Sequence, residues 1–223
     1  MLAVLLPVKE FARSKHRLAG WLSSEERELL ARTMFEDVWT MLRAVGAEHR
    51  LLVISSEPVV VARCREEGIL CRVETEQRSH SDSVMAATAW AMSLGITSLL
   101  AVPIDTPAVT TDEISALTDL ARRYAVVIVP SADGTGTNAL LRTPPDAIAP
   151  RFGPGSCRLH AAQAEAKRLP HRVLAVPGLA ADIDTPEDAG RFLAFVSASG
   201  RCCRTAALLE QFFEARRGVE VCS

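Results

Sequence analysis

Carboxylates and cations are the residues of this chain best suited to chemistry, and they fall in a few short clusters. Asp105 in VPIDTP, and Asp182 with Asp184 in ADIDTPEDAG, each follow an apolar run. An aspartate ahead of a helix is often only an N-cap, and either cluster alone reads that way. Two carboxylates from separate strand ends can instead converge on a hard cation. Magnesium takes one or two carboxylates together with substrate phosphates, so Asp105 and Asp184, supported by Asp182, form a candidate metal site. Lys9, Lys15 and Arg17, with Ser14 among them, lie in PVKEFARSKHRLAG directly after the first apolar run. Three cations in a loop can be a solvated surface; at a strand end they suit the oxygens of a triphosphate.

Two glycine-containing stretches complete the set, DGTGTNALL from Asp133 and RFGPGS from Arg151. Gly134, Gly136, Gly153 and Gly155 let the backbone approach a ligand, and Thr135, Thr137, Asn138 and Ser156 offer hydroxyl and amide hydrogen bonds. Ser156 stands where a helix should begin, so its hydroxyl and the nearby amides suit a phosphate or carboxylate. Taken singly, both stretches are tight turns. Neither G-x-G-x-x-G nor G-x-x-x-x-G-K-S/T occurs, which argues against a dinucleotide-binding site and a P-loop. His16 and His80 fall in polar loops, and His160 and His171 belong to no constellation.

Ligands of open α/β sheets collect beyond the carboxyl ends of the strands, so these clusters need buried strands behind them. Five apolar runs supply candidates: LAVLLPV from Leu2, RLLVIS from Arg50, SLLAVPID from Ser98, AVVIVP from Ala125 and RVLAV from Arg172. None alternates with period two, as expected of strands covered on both faces. Between them, Ser23 with Glu26 and Thr110 with Glu113 form capping-box patterns. Helices are predicted over 24–44, 83–94, 156–168 and from Thr185 to about Val196, the last with Pro186 in its first turn. Alternating strand and helix signals predict an α/β three-layer fold with a mostly parallel sheet.

A chain of 223 residues has room for one large domain, here 1–196, followed by a C-terminal extension, 197–223. Leu208, Leu209, Phe212 and Phe213 make that extension a predicted helix with an apolar stripe. It docks either on its own domain or, in a homodimer, on a second subunit. Hydrophobic residues at 48%, charged residues at 23% and a net charge of −2 describe an ordinary globular protein with no broad attraction for nucleic acid. The Leu2–Leu6 run is broken by Pro7 and Lys9, which fits neither a signal peptide nor a membrane span, so a cytoplasmic protein without a membrane partner is expected. Cys64, Cys71, Cys157, Cys202, Cys203 and Cys222 show no metal-ligand spacing and are expected to be reduced.

In this order over residues 1 to about 196, PVK with the following K-x-R, PIDTP, DGTGTN, FGPGS and DIDTPED resemble one family. It is the phospholactate or phosphoenolpyruvate guanylyltransferases of deazaflavin coenzyme F-420 biosynthesis. DGTGTN and FGPGS are the specific part; DIDTPED and the first strand are shared more widely among sugar-nucleotide and cofactor nucleotidyltransferases. The resemblance implies a GT-A-like nucleotidyltransferase fold and transfer of GMP from GTP to a phosphorylated three-carbon acid, with release of pyrophosphate. It implies Asp105 and Asp184 as ligands of Mg2+, with Asp182 in support. Lys9, Lys15 and Arg17 would face the triphosphate, and Thr137, Gly153 and Ser156, with Asn138, would hold the acceptor.

One stretch departs from the family pattern. Where many members carry a glycine-rich stretch ending in G-L-N-A-A, this chain has RSHSDSVMAA, with His80, Ser81, Asp82 and Ser83. A site lined by these hydrogen-bonding groups would favour an acceptor with a free hydroxyl, which selects 3-phosphoglycerate over 2-phospholactate or phosphoenolpyruvate. The competing readings are a nucleotidyltransferase of molybdenum-cofactor or sugar-phosphate type, and a nucleotide-binding protein without turnover. FGPGS weighs against the first, and the two metal-site aspartates weigh against the second.

Overall fold

The computed structural model describes residues 1–45, 49–76 and 79–220; Cys222 and the rest of 221–223 lie outside them. Consecutive rather than alternate apolar residues set the architecture. In strand β1 (Leu2–Val8), Val4, Leu6 and Val8 join one buried cluster while Ala3 and Leu5 join another on the opposite face. A strand covered on both sides has no reason to alternate, which is why the run reads as continuous.

The described strands are β1, β2 (Arg50–Ser55), β3 (Leu70–Val73), β4 (Ser98–Ala101), β5 (Val126–Pro130), β6 (Thr137–Arg142) and β7 (His171–Val173). They form one sheet in the order β3-β2-β1-β4-β6-β5-β7. Every pairing is parallel except those of β6, which runs antiparallel to both β4 and β5. One face is covered by α1 (Ser24–Ala44), α2 (Pro58–Glu66), α4 (Thr111–Asp119) and the single turn α6 (Pro177–Ala180). The other is covered by α3 (His80–Ser93) and α5 (Ser156–Ala166). The result is the expected three-layer α/β fold.

Local chemistry fixes the helix starts. Ser23, Thr110 and Thr185 each accept the N3 amide of their helix, and Glu26, Glu113 and Asp188 return a bond to the cap amide. Such caps contribute about 1 kcal/mol each. Along α1, Ala31, Phe35, Val38, Trp39 and Leu42 pack on the sheet while Leu30 and Met34 face the other way. That second stripe receives α7 (Pro186–Ser199) and α8 (Arg204–Glu220). Leu209 and Phe212 of α8 are buried there, Asp37 caps the helix by accepting the amides of Arg204 and Thr205, and Arg216 pairs with Glu26 at 2.6 Å.

Several elements differ from those expected. Thr137–Arg142, read as a ligand loop, is a strand buried along its length. β3 and α2 are not among the expected elements: β3 is a four-residue edge strand, LCRV, whose side chains are mostly exposed although three of them are apolar. RVLAV pairs with β5 only as far as Val173. Helix α3 starts at His80 rather than Ser83, because Ser79 caps it by accepting the Asp82 amide.

Candidate active site

The loop leaving β1 carries Lys15 in a left-handed conformation, φ 58°, uncommon for any residue but glycine and asparagine. This turns its side chain inward. Its Nζ lies 2.6 Å from Asp105 Oδ1 and 3.1 Å from Asp184 Oδ1, and donates to the Ile183 carbonyl at 2.6 Å. Only 3% of the Lys15 side chain is exposed, against 39% and 41% for the two aspartates, so the carboxylates keep a face toward solvent. Burial opposes the lysine charge, but Asp105 and then Asp184 outweigh it and hold its pKa above the ordinary value. The lysine is therefore charged at neutral pH.

The two aspartates meet because Ile183, buried in the core, donates its amide to the Asp105 carbonyl at 3.2 Å. Asp105 lies in the loop after β4 as expected. Asp182 and Asp184 do not end a strand: α6 intervenes after β7, and they occupy the short segment before α7. Asp188 Oδ2 accepts the amides of Asp184 and Thr185 at 3.2 and 2.8 Å, fixing that segment to the helix start. Burial raises the pKa of Asp182, against a hydrogen bond from Asn138.

Lys15 was expected on the triphosphate; it sits between the carboxylates instead, as the counterion of both. Its ammonium marks the point where carboxylates from two segments converge. Among the described residues no group of three or more His, Cys, Asp or Glu side chains is gathered for a metal; Asp105 and Asp184 are the two carboxylates that a magnesium ion, completed by phosphate oxygens, would take here. Arg17 lies 3.8 Å from Asp184 with its side chain largely exposed, and Lys9 lines the same cleft.

The opposite rim comes from β6 and the start of α5. Thr137, Asn138 and Gly153 line the cleft, and Gly153 has φ 120°, a conformation that favours glycine. Asn138 Nδ2 donates to the Leu179 carbonyl at 2.7 Å. Ser156 does not line the cleft. It is fully buried behind Thr137, to which its hydroxyl donates at 3.0 Å. Thr137 Oγ1 also lies 3.0 Å from His160 Nδ1. Burial, with Arg142 behind it, pushes the His160 pKa down to about 4.

The two rims enclose a cleft of about 1100 Å³. Arg13, Ser131 and Arg191 also line it and were not picked out from sequence. Arg191 stands seven residues after Asp184 and three after Asp188, with which it pairs; helical spacing on α7 would have found it. Of the four polar residues in the departing stretch, only His80 lines the cleft. Ser81 Oγ accepts the Phe152 amide at 2.9 Å, Ser83 donates to Glu74, and Asp82 is exposed at the helix cap. The expected hydroxyl-matching lining is therefore not built, because a helix begins there and draws three of the four side chains into structural contacts.

A family model described as "Guanylyl transferase CofC like" matches residues 2–204. The chain belongs to this family of guanylyltransferases. A phosphoenolpyruvate guanylyltransferase of Conexibacter woesei is 36% identical, covering 93% of this chain and 94% of its own length. A 3-phospho-D-glycerate guanylyltransferase of Colwellia psychrerythraea is 31% identical, covering 91% and 98%. Among solved structures, a protein assigned as a nucleotide-diphospho-sugar transferase from Desulfovibrio desulfuricans G20 superposes with a TM-score of 0.78 at 16% identity, covering 97% of each chain. CMP:2-keto-3-deoxy-manno-octonic acid synthetase, solved with CTP, gives 0.56 at 12% identity over 89% of this chain and 99% of its own. These two likenesses show that the three-layer α/β fold is shared. Among the described residues no helix is long and apolar enough to cross a membrane.

Proposed function

We propose that this guanylyltransferase transfers GMP from GTP to the phosphate of a phosphorylated three-carbon carboxylic acid, releasing pyrophosphate, as a step of coenzyme F-420 biosynthesis. The observation that carries the reading is the convergence of Asp105 and Asp184 on one cation at the floor of a cleft lined by Lys9, Arg13, Arg17 and Arg191. The names of the relatives from Conexibacter woesei and Colwellia psychrerythraea support the acceptor class.

The acceptor needs no protein nucleophile, because its own phosphate oxygen is ionised at neutral pH. That oxygen forms a bond to the α-phosphorus of GTP while the bond to the β-phosphate bridging oxygen breaks, and pyrophosphate leaves with the electron pair. The protein's part is to hold two anions in line and to neutralise charge as it moves to the leaving group. Magnesium bound by Asp105 and Asp184, with Asp182 beside them, would supply Lewis-acid stabilisation of the phosphoryl oxygens. Lys15 keeps the two carboxylates aligned, and Lys9 and Arg17 face the space a triphosphate would fill. Thr137, Asn138 and Gly153 present hydrogen-bonding groups to the acceptor on the other rim.

The test is pyrophosphate release from GTP, ATP, CTP and UTP with magnesium and with phosphoenolpyruvate, 2-phospholactate or 3-phosphoglycerate supplied separately, each product being weighed by mass spectrometry. The expected result is a guanylylated acid formed from GTP only with magnesium, with little nucleotidylated acid from the other three nucleotides. Pyrophosphate release with none of the three acids, or equal rates with all four nucleotides, would refute the assignment.

A further inference from the structure

His160 is fully buried and takes no direct part in the reaction proposed above, yet its two ring nitrogens have determinate partners. Nε2 lies 2.8 Å from the backbone nitrogen of Arg151. A backbone N–H can only donate, so Nε2 must be an acceptor and carries no proton. Burial keeps the ring uncharged, with a pKa of about 4, so the one ring proton is on Nδ1. Nδ1–H points at Thr137 Oγ1, 3.0 Å away, and Thr137 accepts it.

Thr137 Oγ1 accepts a second bond, from Ser156 Oγ at 3.0 Å. The reverse direction, Thr137 donating to Ser156, would strand the Ser156 hydroxyl hydrogen at a fully buried position without a partner among the described residues. A hydroxyl has two acceptor sites and one donor. Both acceptor sites of Thr137 are filled from behind, so its own hydrogen is left for the cleft that Thr137 lines.

We propose that His160 is a positioning residue that, with Ser156, makes the Thr137 hydroxyl an obligate donor to the cleft, so that the groove at this point takes a carboxylate or phosphate oxygen and rejects a hydroxyl that must itself donate. This rests on the reading of the cleft as the acceptor site. The Arg151 amide bond ties the same imidazole to the start of the Arg151–Ser156 turn, so one ring fixes both the donor and the loop that carries Gly153.

Two measurements test it on the full chain. Nitrogen NMR of protein labelled at histidine, with the His160 signal assigned by its loss in His160→Gln, should report a proton on Nδ1; a proton on Nε2 overturns the inference whatever the activity. Kinetics of the same variant should raise the KM for the phospho-acid about 3- to 10-fold, since the Thr137 hydroxyl is left free to turn rather than removed, with the KM for GTP unchanged; Thr137→Val, which removes the donor itself, should raise it about 10- to 100-fold, the effect of losing a hydrogen bond to a charged group. Gln places an acceptor where Nε2 was and keeps the Arg151 bond, but cannot donate to Thr137. His160→Asn places a donor where Nδ1 was and should recover much of the affinity, as Thr137→Ser should relative to Thr137→Val. Equal acceptor KM values for the Gln and Asn variants, or an unchanged one in Thr137→Val, would show a purely structural histidine. Should no phospho-acid give product, the proposed reaction fails while the tautomer remains measurable and decides the inference.

Discussion

On one rim of the cleft, Lys15, Asp105 and Asp184 meet as ions; on the other, Thr137, Ser156 and His160 meet as neutral groups. The ionic rim leaves its carboxylates about two-fifths exposed, so its contacts can be exchanged when charged phosphates arrive. The neutral rim is almost wholly buried and every hydrogen bond in it has a fixed direction. Burying neutral, fully paired groups costs far less than burying ions and holds geometry better. A site that joins two anions uses both properties: charges that can be reassigned where charge moves, and a rigid donor where an acceptor must be placed.

Asp105→Asn and Asp184→Asn probe the ionic rim most severely. Each keeps the shape but removes a charge assigned above to metal binding, and turnover should fall on the order of 100-fold or more with the thermal midpoint little changed. Near-wild-type rates with magnesium still required would detach these residues from the reaction. Lys15→Ala should come next, lowering turnover roughly 10- to 100-fold and chiefly through GTP use, since a fixed cation worth a few kcal/mol is lost. If its effect fell on the phospho-acid KM instead, the division of labour between the rims would be wrong.

The sequence announced the two rims unequally. Asp105, Asp184 and the loop cations could be picked out because charged residues stand out after apolar runs, and β1, β2, β4 and β5 were legible because strands buried on both faces are continuously apolar. Thr137 and Asn138 were noticed only as a polar loop. They are in fact strand residues of β6, buried because Ser156, His160 and the Leu179 carbonyl satisfy them, and such pairing is invisible without tertiary contacts. His160 had no neighbour in sequence to mark it, since its partners lie 23 and 9 residues away. Lys15 was assigned to phosphate because nothing local reveals that a left-handed backbone turns it toward two aspartates. The edge strand β3 escaped because it is short, four residues with Arg72 breaking its apolar run.

Acid should separate the rims by stability rather than by rate. His160 and His80 both have pKa values pushed down to about 4, by burial first and by Arg142 and Lys9 respectively second. The unfolded chain binds these protons as pH falls through about 6.5, the folded chain only near 4, so folded stability drops across that window by up to about 1.4 kcal/mol per pH unit for each group. Urea midpoints measured from pH 7 to 4 should decline, and less steeply in His160→Gln; an equal decline would mean that His160 does not titrate as a buried neutral ring. Gly136→Ala should cost somewhat less, roughly 1–3 kcal/mol. A Cβ there would sit 2.8 Å from Ser131 Oγ, the atom that accepts the Gly136 amide and donates to Asp133. Its thermal midpoint should fall, and the phospho-acid KM should rise more than the GTP KM.

The smallest expected effects concern the stretch where this chain departs from its family, and they decide whether that departure matters to the acceptor. Asp82 is exposed and its contacts, the Ser79 hydroxyl among them, belong to the start of α3. Ser81 sits one step nearer the site, because its hydroxyl accepts the amide of Phe152, the residue before Gly153. Asp82→Ala should therefore leave the rate ratio between phosphoenolpyruvate and 3-phosphoglycerate unchanged and lower stability by about 0.5–1 kcal/mol through the lost charge at the helix N-terminus. Ser81→Ala should raise both acceptor KM values together by no more than a few-fold, since it loosens a neutral hydrogen bond worth about 1 kcal/mol that positions the loop without touching the acceptor. A change in the ratio in either variant would restore these side chains as selectors of a hydroxyl-bearing acid. An unchanged ratio in both would leave acceptor choice to the neutral rim, where Thr137 faces the cleft with its hydrogen outward.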